Sequence, residues 1–397
     1  MKILVSNIGS TSFKFRLFDM AEKPPRPIAV GGADRIGQTG GVLKLAVGAA
    51  PATAWPREFA DHAAAIAFVM EQLVAGGALR RTGELDAVAF KAVMGGDLPA
   101  VTLVDQAVLE QMEYFIPVAP AHNPPYIAAM RMFAKVLAGT PLVAAFEPGF
   151  HRTNPPRRRT YAVPAEWIRR GVRRYGFHGA SHRYIATRTQ QLMPRARRII
   201  SCHLGGSSSL CAIRDGQSVA TTMGLSPQSG LPQGNRVGDL DVYAMKLMMA
   251  KTGRSFDELL DQLSGQSGLA GLSGTGGDMR DVQQAAAAGQ EQARLTLEVF
   301  VTAVRDYLGA YLVELGGADA IVFTGGIGEN NPDLRARICE RLEFAGIVLD
   351  GERNAAATGE ARFDADSSKT ALWVMPTNEE LIVATQAAEF LSQHKQN

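Results

Sequence analysis

The opening stretch MKILVSNIGSTSFKFRLFD and a stretch at the middle of the chain, RRIISCHLGGSSSLCAIRDG, share one pattern. Each is an apolar run, a Gly/Ser/Thr cluster, and a second, alternating apolar run. Such runs bounded by glycine and serine read as two strands of a hairpin. Placing Gly9 on Gly205, Asn7 on His203 and Ser12 on Ser208 needs one constant offset of 196 (205 − 9 and 203 − 7), about half of the 397 residues. One coincidence would mean little. The shared order and register argue for duplication of one domain, and two similar domains create a cleft of the kind that ligand sites favour.

The rest of the chain alternates strand and helix signals. Strands are expected at 2–6, 13–18, 87–93 and 141–146, with helices near 58–76, 105–115 and 125–138. Residues 20–56, rich in Gly, Pro and Ala, read as further hairpin and loop. In the second half, strands are expected at 198–202, 210–213, 320–323 and 370–375. Helices are expected near 239–252, 255–263, 290–315, 332–344 and 379–393, with a turn at 325–328. Strands alternating with helices predict an α/β architecture.

Composition narrows the function classes. Hydrophobic residues make up 46% and charged residues 20%, enough apolar material for two cores. A net charge of +2 implies neither a nucleic-acid nor a membrane partner. The basic runs RRGVRR (169–174) and PPRRR (155–159) read as solvated surface or as local attraction for an anion. Cys202, Cys211 and Cys339 show no CxxC spacing, which argues against a disulfide framework or a thiolate zinc site. The N-terminus lacks the apolar core of a signal peptide, and no stretch approaches the ~20 apolar residues of a spanning helix. A cytoplasmic location is expected.

The two Gly/Ser turns carry the chemistry. A glycine turn between strands gathers backbone N–H groups without a Cβ to hold a phosphate away, and Ser/Thr add hydroxyl donors. For either turn alone a plain hairpin is the simpler reading; the pair favours a polyphosphate. The chain has no GxxxxGK[ST], no HRD or DFG triplet and no full GxGxxG, so the P-loop, protein-kinase and dinucleotide readings fall away. What remains is the nucleotide fold shared by actin, the 70-kDa heat-shock proteins and the sugar kinases, with ATP between duplicated domains.

Six segments then point to one family. NIGSTSFK (7–14), RRYGFHGASH (173–182), HLGGSSS (203–209), GLSGTGGDMRD (271–281), FTGGIGEN (323–330) and PTNEEL (376–381) occur in order along the chain. Together they resemble the acetate kinase family. The resemblance implies a duplicated, ribonuclease H-like two-domain α/β fold. Its N-terminal domain would cover 1–147 and a returning C-terminal helix at 380–397; a C-terminal nucleotide-binding and dimerisation domain would cover 148–379. It also implies reversible transfer of the ATP γ-phosphoryl group to a short-chain carboxylate, with ADP as product, Mg²⁺ or Mn²⁺ as cofactor, and a homodimer.

By the same resemblance, Glu147, His178 and Arg236 are catalytic. Arg236 offers a planar donor fork and His178 an imidazole to a transferring phosphoryl group. Lys91, Val93, His122, Phe177 and Pro227 would bind the acid, and Asn7 and Glu379 the metal, as hard oxygen donors. Lys14, His203, Leu204, Gly205, Gly206 and Ser207 would touch the nucleotide, as would Asp278, Met279 and Arg280. Gly326, Ile327, Gly328, Glu329 and Asn330 would complete that site. Members carry Arg where this chain has Lys91, Asp where it has Glu147, and Asn where it has Gly206. Ala121 stands where members usually carry Leu, leaving space for a larger acid. Propionate or butyrate kinase and a noncatalytic ATP-binding paralogue are the alternatives.

Overall fold

A computed structural model describes residues 1–9 and 11–394 of the chain. They form two compact units: Met1–Gly149 with the segment that starts at Asn378, and Phe150–Thr377.

The first unit is built on an eight-stranded sheet. Its strands are β1 (Lys2–Ile8), β2 (Ser12–Asp19), β3 (Arg26–Asp34), β4 (Val42–Val47), β5 (Thr53–Pro56), β6 (Ala87–Ala92), β7 (Val101–Leu103) and β8 (Leu142–Phe146). Their order is β5-β4-β3-β2-β1-β6-β8-β7. β1 to β5 form an antiparallel meander; β1, β6 and β8 run parallel, and β7 returns antiparallel. The parallel strands are almost continuously apolar because both faces are covered. One cover is helix Asn123–Val136, whose Phe133 meets the rings of Phe13 and Phe90 edge-on. Pro124 and Pro125 start that helix, where no N–H partner is needed. Helix Glu379–His394 packs on β1 and β6 through Ile382, Val383 and Ala387.

The second unit repeats this plan. Its sheet runs β11-β10-β9-β12-β14-β13, made of β9 (Arg198–Leu204), β10 (Ser208–Arg214), β11 (Gln217–Thr221), β12 (Ala320–Thr324), β13 (Ala361–Arg362) and β14 (Ala371–Val374). Strand for strand this is the order and direction of β3-β2-β1-β6-β8-β7, including the antiparallel last strand that precedes its neighbour in the chain. Helix Glu291–Leu315 backs the sheet. Its buried Leu297, Phe300, Val301, Val304, Leu308 and Tyr311 recur at three- and four-residue spacing, and it ends at left-handed Gly316.

Several expectations need correction. The constant offset holds for β1 and β9 but not for their partners. Ile8 faces Phe13 with four residues between, whereas Leu204 faces Ser208 with three. Phe13 rather than Ser12 therefore corresponds to Ser208, because the first turn is one residue longer. Ser10 lies outside the described residues, as does the end of the expected 380–397 helix beyond 394. Residues 20–56 hold the further hairpins expected there, as strands β3 to β5. The expected turn at 325–328 is the first turn of helix Gly325–Asn330, and the helix expected to reach 344 stops at Cys339. Helices Gly179–Leu192 and Met279–Ala287 escaped the pattern reading. Their glycine, serine, threonine and β-branched residues, or their short length, give weak local signals that burial of one face overrides. The three cysteines are free and buried. No helix among the described residues is long and apolar enough to cross a membrane.

Candidate functional site

In the first unit the candidate residues gather where parallel strands end. Asn7 lies next to the end of β1, Lys91 near the end of β6, and Glu147 follows β8; these are adjacent strands, and carboxyl ends of parallel strands are where open α/β sheets bind ligands. Lys91 Nζ donates to Glu379 Oε2 at 2.5 Å. Burial works against the Lys91 charge, but the carboxylates of Glu379 and Glu147 outweigh it and hold the lysine above its ordinary range. Tyr126 Oη donates to Asn7 Oδ1 at 3.1 Å. Burial, reinforced by Glu147 and Glu379 against the opposing effect of Lys91, pushes the Tyr126 phenol up to about 12, so it stays a neutral donor. Lys14 faces Asn7 across β1 and β2, on a depression of about 400 Å³ shared with Arg16, Lys44 and Glu380. His122 precedes helix Asn123–Val136, and Val93 is buried just past β6. Asn123, which sequence reasoning missed, ties these pieces together. Its side chain accepts from Met94 N at 3.3 Å and donates to Met94 O and Met112 O at 2.9 and 2.8 Å.

In the second unit, β9 delivers His203 and Leu204 to the turn of Gly205, Gly206 and Ser207. Beside it, β12 runs into helix Gly325–Asn330. Gly325 has φ +79, and a Cβ there would stand 2.6 Å from Leu204 O, so only glycine lets the two strand ends close up. A Cβ at Gly206 or Gly326 would meet nothing within 4 Å, so there is open space beside the backbone there. Glu329 Oε1 accepts from Gly325 N at 2.8 Å, and Asn330 donates to Gly326 O at 3.0 Å. Arg335, fully buried, donates to Gly328 O and Glu329 O and twice to Asn354, all at 2.8–2.9 Å, and clamps the segment from below. Asp278 caps helix Met279–Ala287 by accepting from Arg280 N at 2.9 Å. The Arg280 guanidinium, then that backbone N–H, hold its carboxyl near 2.

His178 has φ +57, a strained backbone for a residue with a side chain, at the start of helix Gly179–Leu192. Its Nδ1 lies 2.8 Å from Ser209 Oγ, and its ring stacks on His203 with centroids 4.3 Å apart. His203 Nδ1 in turn meets Ser181 Oγ at 2.8 Å. Phe177 O bonds His151 Nε2 at 2.9 Å, which sets the preceding peptide. Arg236 Nη1 donates to Ser207 Oγ at 3.3 Å and to Gln233 Oε1 at 3.2 Å, and burial lowers its pKa. Ser207 also donates to Gln233 Oε1 at 2.7 Å, and Gln233 Nε2 donates to Pro227 O at 2.8 Å. The guanidinium, the glycine turn and the Pro227 loop thus form one network around Gln233, a residue no motif flagged. Asp239 binds Gly230 N at 2.8 Å and the Tyr307 hydroxyl, which anchors the far end of the Arg236 loop.

The candidate residues therefore form two sets. Asn7, Lys14, Lys91, Val93, His122, Glu147 and Glu379 belong to the first unit, and the remaining candidates to the second. The first set offers carboxylate and amide oxygens beside an ammonium group, suited to a hard cation and to a small acid. The second offers imidazole, guanidinium and glycine-turn N–H groups, suited to phosphate oxygens. Among the described residues no group of three His, Cys, Asp or Glu side chains could hold a metal by itself.

A family model described as the Acetokinase family matches residues 2–385. The acetate kinase of Phocaeicola vulgatus is 38% identical over 99% of this chain and 100% of its own length. The crystal structure of Porphyromonas gingivalis acetate kinase superposes with a TM-score of 0.88 at 33% identity, covering 98% of this chain and 99% of that one. A propionate kinase from Francisella tularensis subsp. tularensis gives 0.88 at 31% identity, over 96% and 98%. The duplicated sheets and these whole-length likenesses establish the two-domain α/β fold of the actin and sugar-kinase type, and this chain belongs to the acetokinase family.

Proposed function

We propose that the chain is a phosphotransferase that moves the γ-phosphoryl group of ATP to acetate, reversibly, giving acetyl phosphate and ADP. The observation that carries this reading is the pinning of His178 and Arg236, each by its own hydrogen-bond network, in the unit that also holds the open glycine turns. Phosphoryl transfer asks the protein for positioning and for donors at the equatorial oxygens rather than for covalent chemistry. His178 and Arg236 supply those donors. His203, Leu204, Gly205, Gly206 and Ser207, with Asp278, Met279, Arg280 and the segment from Gly326 to Asn330, hold the nucleotide, and Lys14 binds phosphate. Lys91 takes the carboxylate of the acid and Glu147 orients the lysine; by the family resemblance Val93 and His122 of the first unit, and Phe177 and Pro227 of the second, are each assigned to acid binding.

Mg²⁺, or Mn²⁺ in its place, fits the donors of Asn7 and Glu379. One amide oxygen and one carboxylate leave the other octahedral positions to water and phosphate. The ion would neutralise charge on the phosphates. The present partners of these oxygens, the Tyr126 hydroxyl and the Lys91 ammonium, are cationic or donor groups of the kind a cation would replace. The protein is proposed to be cytoplasmic and a homodimer joined through the second unit. The exposed Tyr243, Leu247, Phe256 and Leu260, on helices Tyr243–Thr252 and Phe256–Gly265, are the apolar face a second copy would cover.

Propionate is the second acid to consider, because Ala121 leaves more room than a leucine would. The test is ATP-dependent hydroxamate formation by the purified protein with acetate, propionate and butyrate, with and without Mg²⁺. The reading predicts turnover that needs both acid and metal. Carboxylate-independent ADP release, or no product from any of the three acids, rejects it.

A further inference from the structure

His182 lies one helical turn beyond His178 and takes part in no step above. It is completely buried, with Nδ1 2.8 Å from Ser201 Oγ and Nε2 2.8 Å from Ser209 Oγ. Ser209 Oγ is also the atom 2.8 Å from His178 Nδ1. Ser201 on β9 and Ser209 on β10 are themselves fully buried. The four side chains thus form one continuous row: Ser201, His182, Ser209, His178.

The hydroxyl of Ser209 has one proton, so it donates to one imidazole and accepts from the other. Burial, with His151 and His203 nearby, lowers the pKa of His182 well below its ordinary value, so its ring is neutral and carries one N–H. The row therefore has only two self-consistent directions. In one, Ser201 donates to His182 Nδ1, His182 Nε2–H donates to Ser209, and Ser209 donates to His178 Nδ1. In the other every bond reverses, and the Ser201 proton loses its acceptor. Ser201 Oγ has no other hydrogen-bond partner among the described residues. A buried hydroxyl proton without an acceptor disfavours the reversed row by about tenfold.

We infer that His182 is a positioning residue: acting through Ser209, it holds His178 as the neutral tautomer with its proton on Nε2. In that tautomer the His178 ring proton is on Nε2, the donor form that a phosphoryl oxygen accepts from. The inference rests on the reading that His178 meets the transferring phosphoryl group.

The test is ¹⁵N–¹H correlation of ring nitrogens in the full-length protein labelled at histidine, paired with steady-state kinetics. The wild type should show His178 with Nε2 protonated and Nδ1 bare at pH 7.5, and Ser209→Ala should show mixed tautomers. Ser209→Ala and His182→Leu should each lower kcat about tenfold or more while KM for ATP changes less than threefold. Ser209→Thr and His182→Gln keep a hydroxyl and an N–H donor and should restore most of the rate. If His182→Leu does not fold, Ser209→Ala alone decides. A His178 protonated on Nδ1 in the wild type, or an unchanged tautomer in Ser209→Ala, overturns the inference. Absence of kinase activity together with the expected tautomer would instead reject the functional reading and leave the row standing.

Discussion

Gly268→Ala offers a sharp test of how the Arg236 loop is held. Gly268 has φ +60, and the residues after it donate to that loop, Leu269 N to Gln233 O at 2.8 Å and Ala270 N to Gly234 O at 2.9 Å. A Cβ at 268 would sit 2.5 Å from Arg236 O and 2.9 Å from Arg236 N, and closer still to Gln233 O. Real Cβ atoms essentially never come within 3.0 Å, so the Arg236 carbonyl must retreat by 0.5 Å or more. Positive φ costs alanine about 1–2 kcal/mol, and forced backbone displacement adds about 1–3 kcal/mol. A total near 3 kcal/mol in a unit of this size lowers Tm by roughly 6–12 °C. Because displacement of about 1 Å at a reacting centre costs about a hundredfold, kcat should fall about 10- to 100-fold. Gly316→Ala is the control: it has φ +70 with nothing within 4 Å, and should cost about 1 kcal/mol with kcat unchanged. Hydroxamate initial rates and thermal melts read both effects. A folded Gly268→Ala protein with kcat within threefold of wild type would refute the argument that this contact sets Arg236.

Three further outcomes are expected. Lys91→Met should raise KM for the acid about 30-fold, the loss of one charge-assisted hydrogen bond, with KM for ATP nearly constant; equal acid KM values would remove Lys91 from the acid site. Arg335→Met leaves two carbonyls of the Gly325–Asn330 segment and Asn354 without their donor, and should destabilise by about 3–5 kcal/mol in urea melts while weakening nucleotide binding. The last concerns pH: burial brings the His151 imidazole down to about 4. The unfolded chain binds that proton below about 6.5 while the folded one refuses it, so this stability is complete above pH 6.5 and declines as pH falls towards 4. Urea unfolding should lose about 3 kcal/mol across that window from His151, with His182 acting in the same direction, and a flat profile down to pH 4.5 would contradict it.

Much of this protein is readable along the chain because its signals are local. A strand shows itself by period two and a tight turn by glycine, so both hairpins, the parallel strands and most long helices stand out within windows of ten residues. The motif residues at the two glycine turns, and the family they resemble, follow from the same short windows. The resemblance could not say what holds those residues in place. Asn123 tying Met94 to Met112, Gln233 joining Ser207 to Arg236, and Arg335 under the Gly325–Asn330 segment all depend on partners far away in the chain.

The same division explains the one-residue slip between the hairpins. An alignment by letters matches Ser12 with Ser208, but hydrogen-bond pairing matches Phe13 with Ser208, because turn length decides register and identity does not. Sequence alone determined the periodicities, the duplication and which side chains could do chemistry, since backbone geometry writes those at short range. Tertiary packing decided which of those side chains meet and which way each hydrogen bond runs. Burying a hydroxyl or an imidazole makes an unmatched proton costly, and only the folded chain brings Ser201, His182, Ser209 and His178 into one row.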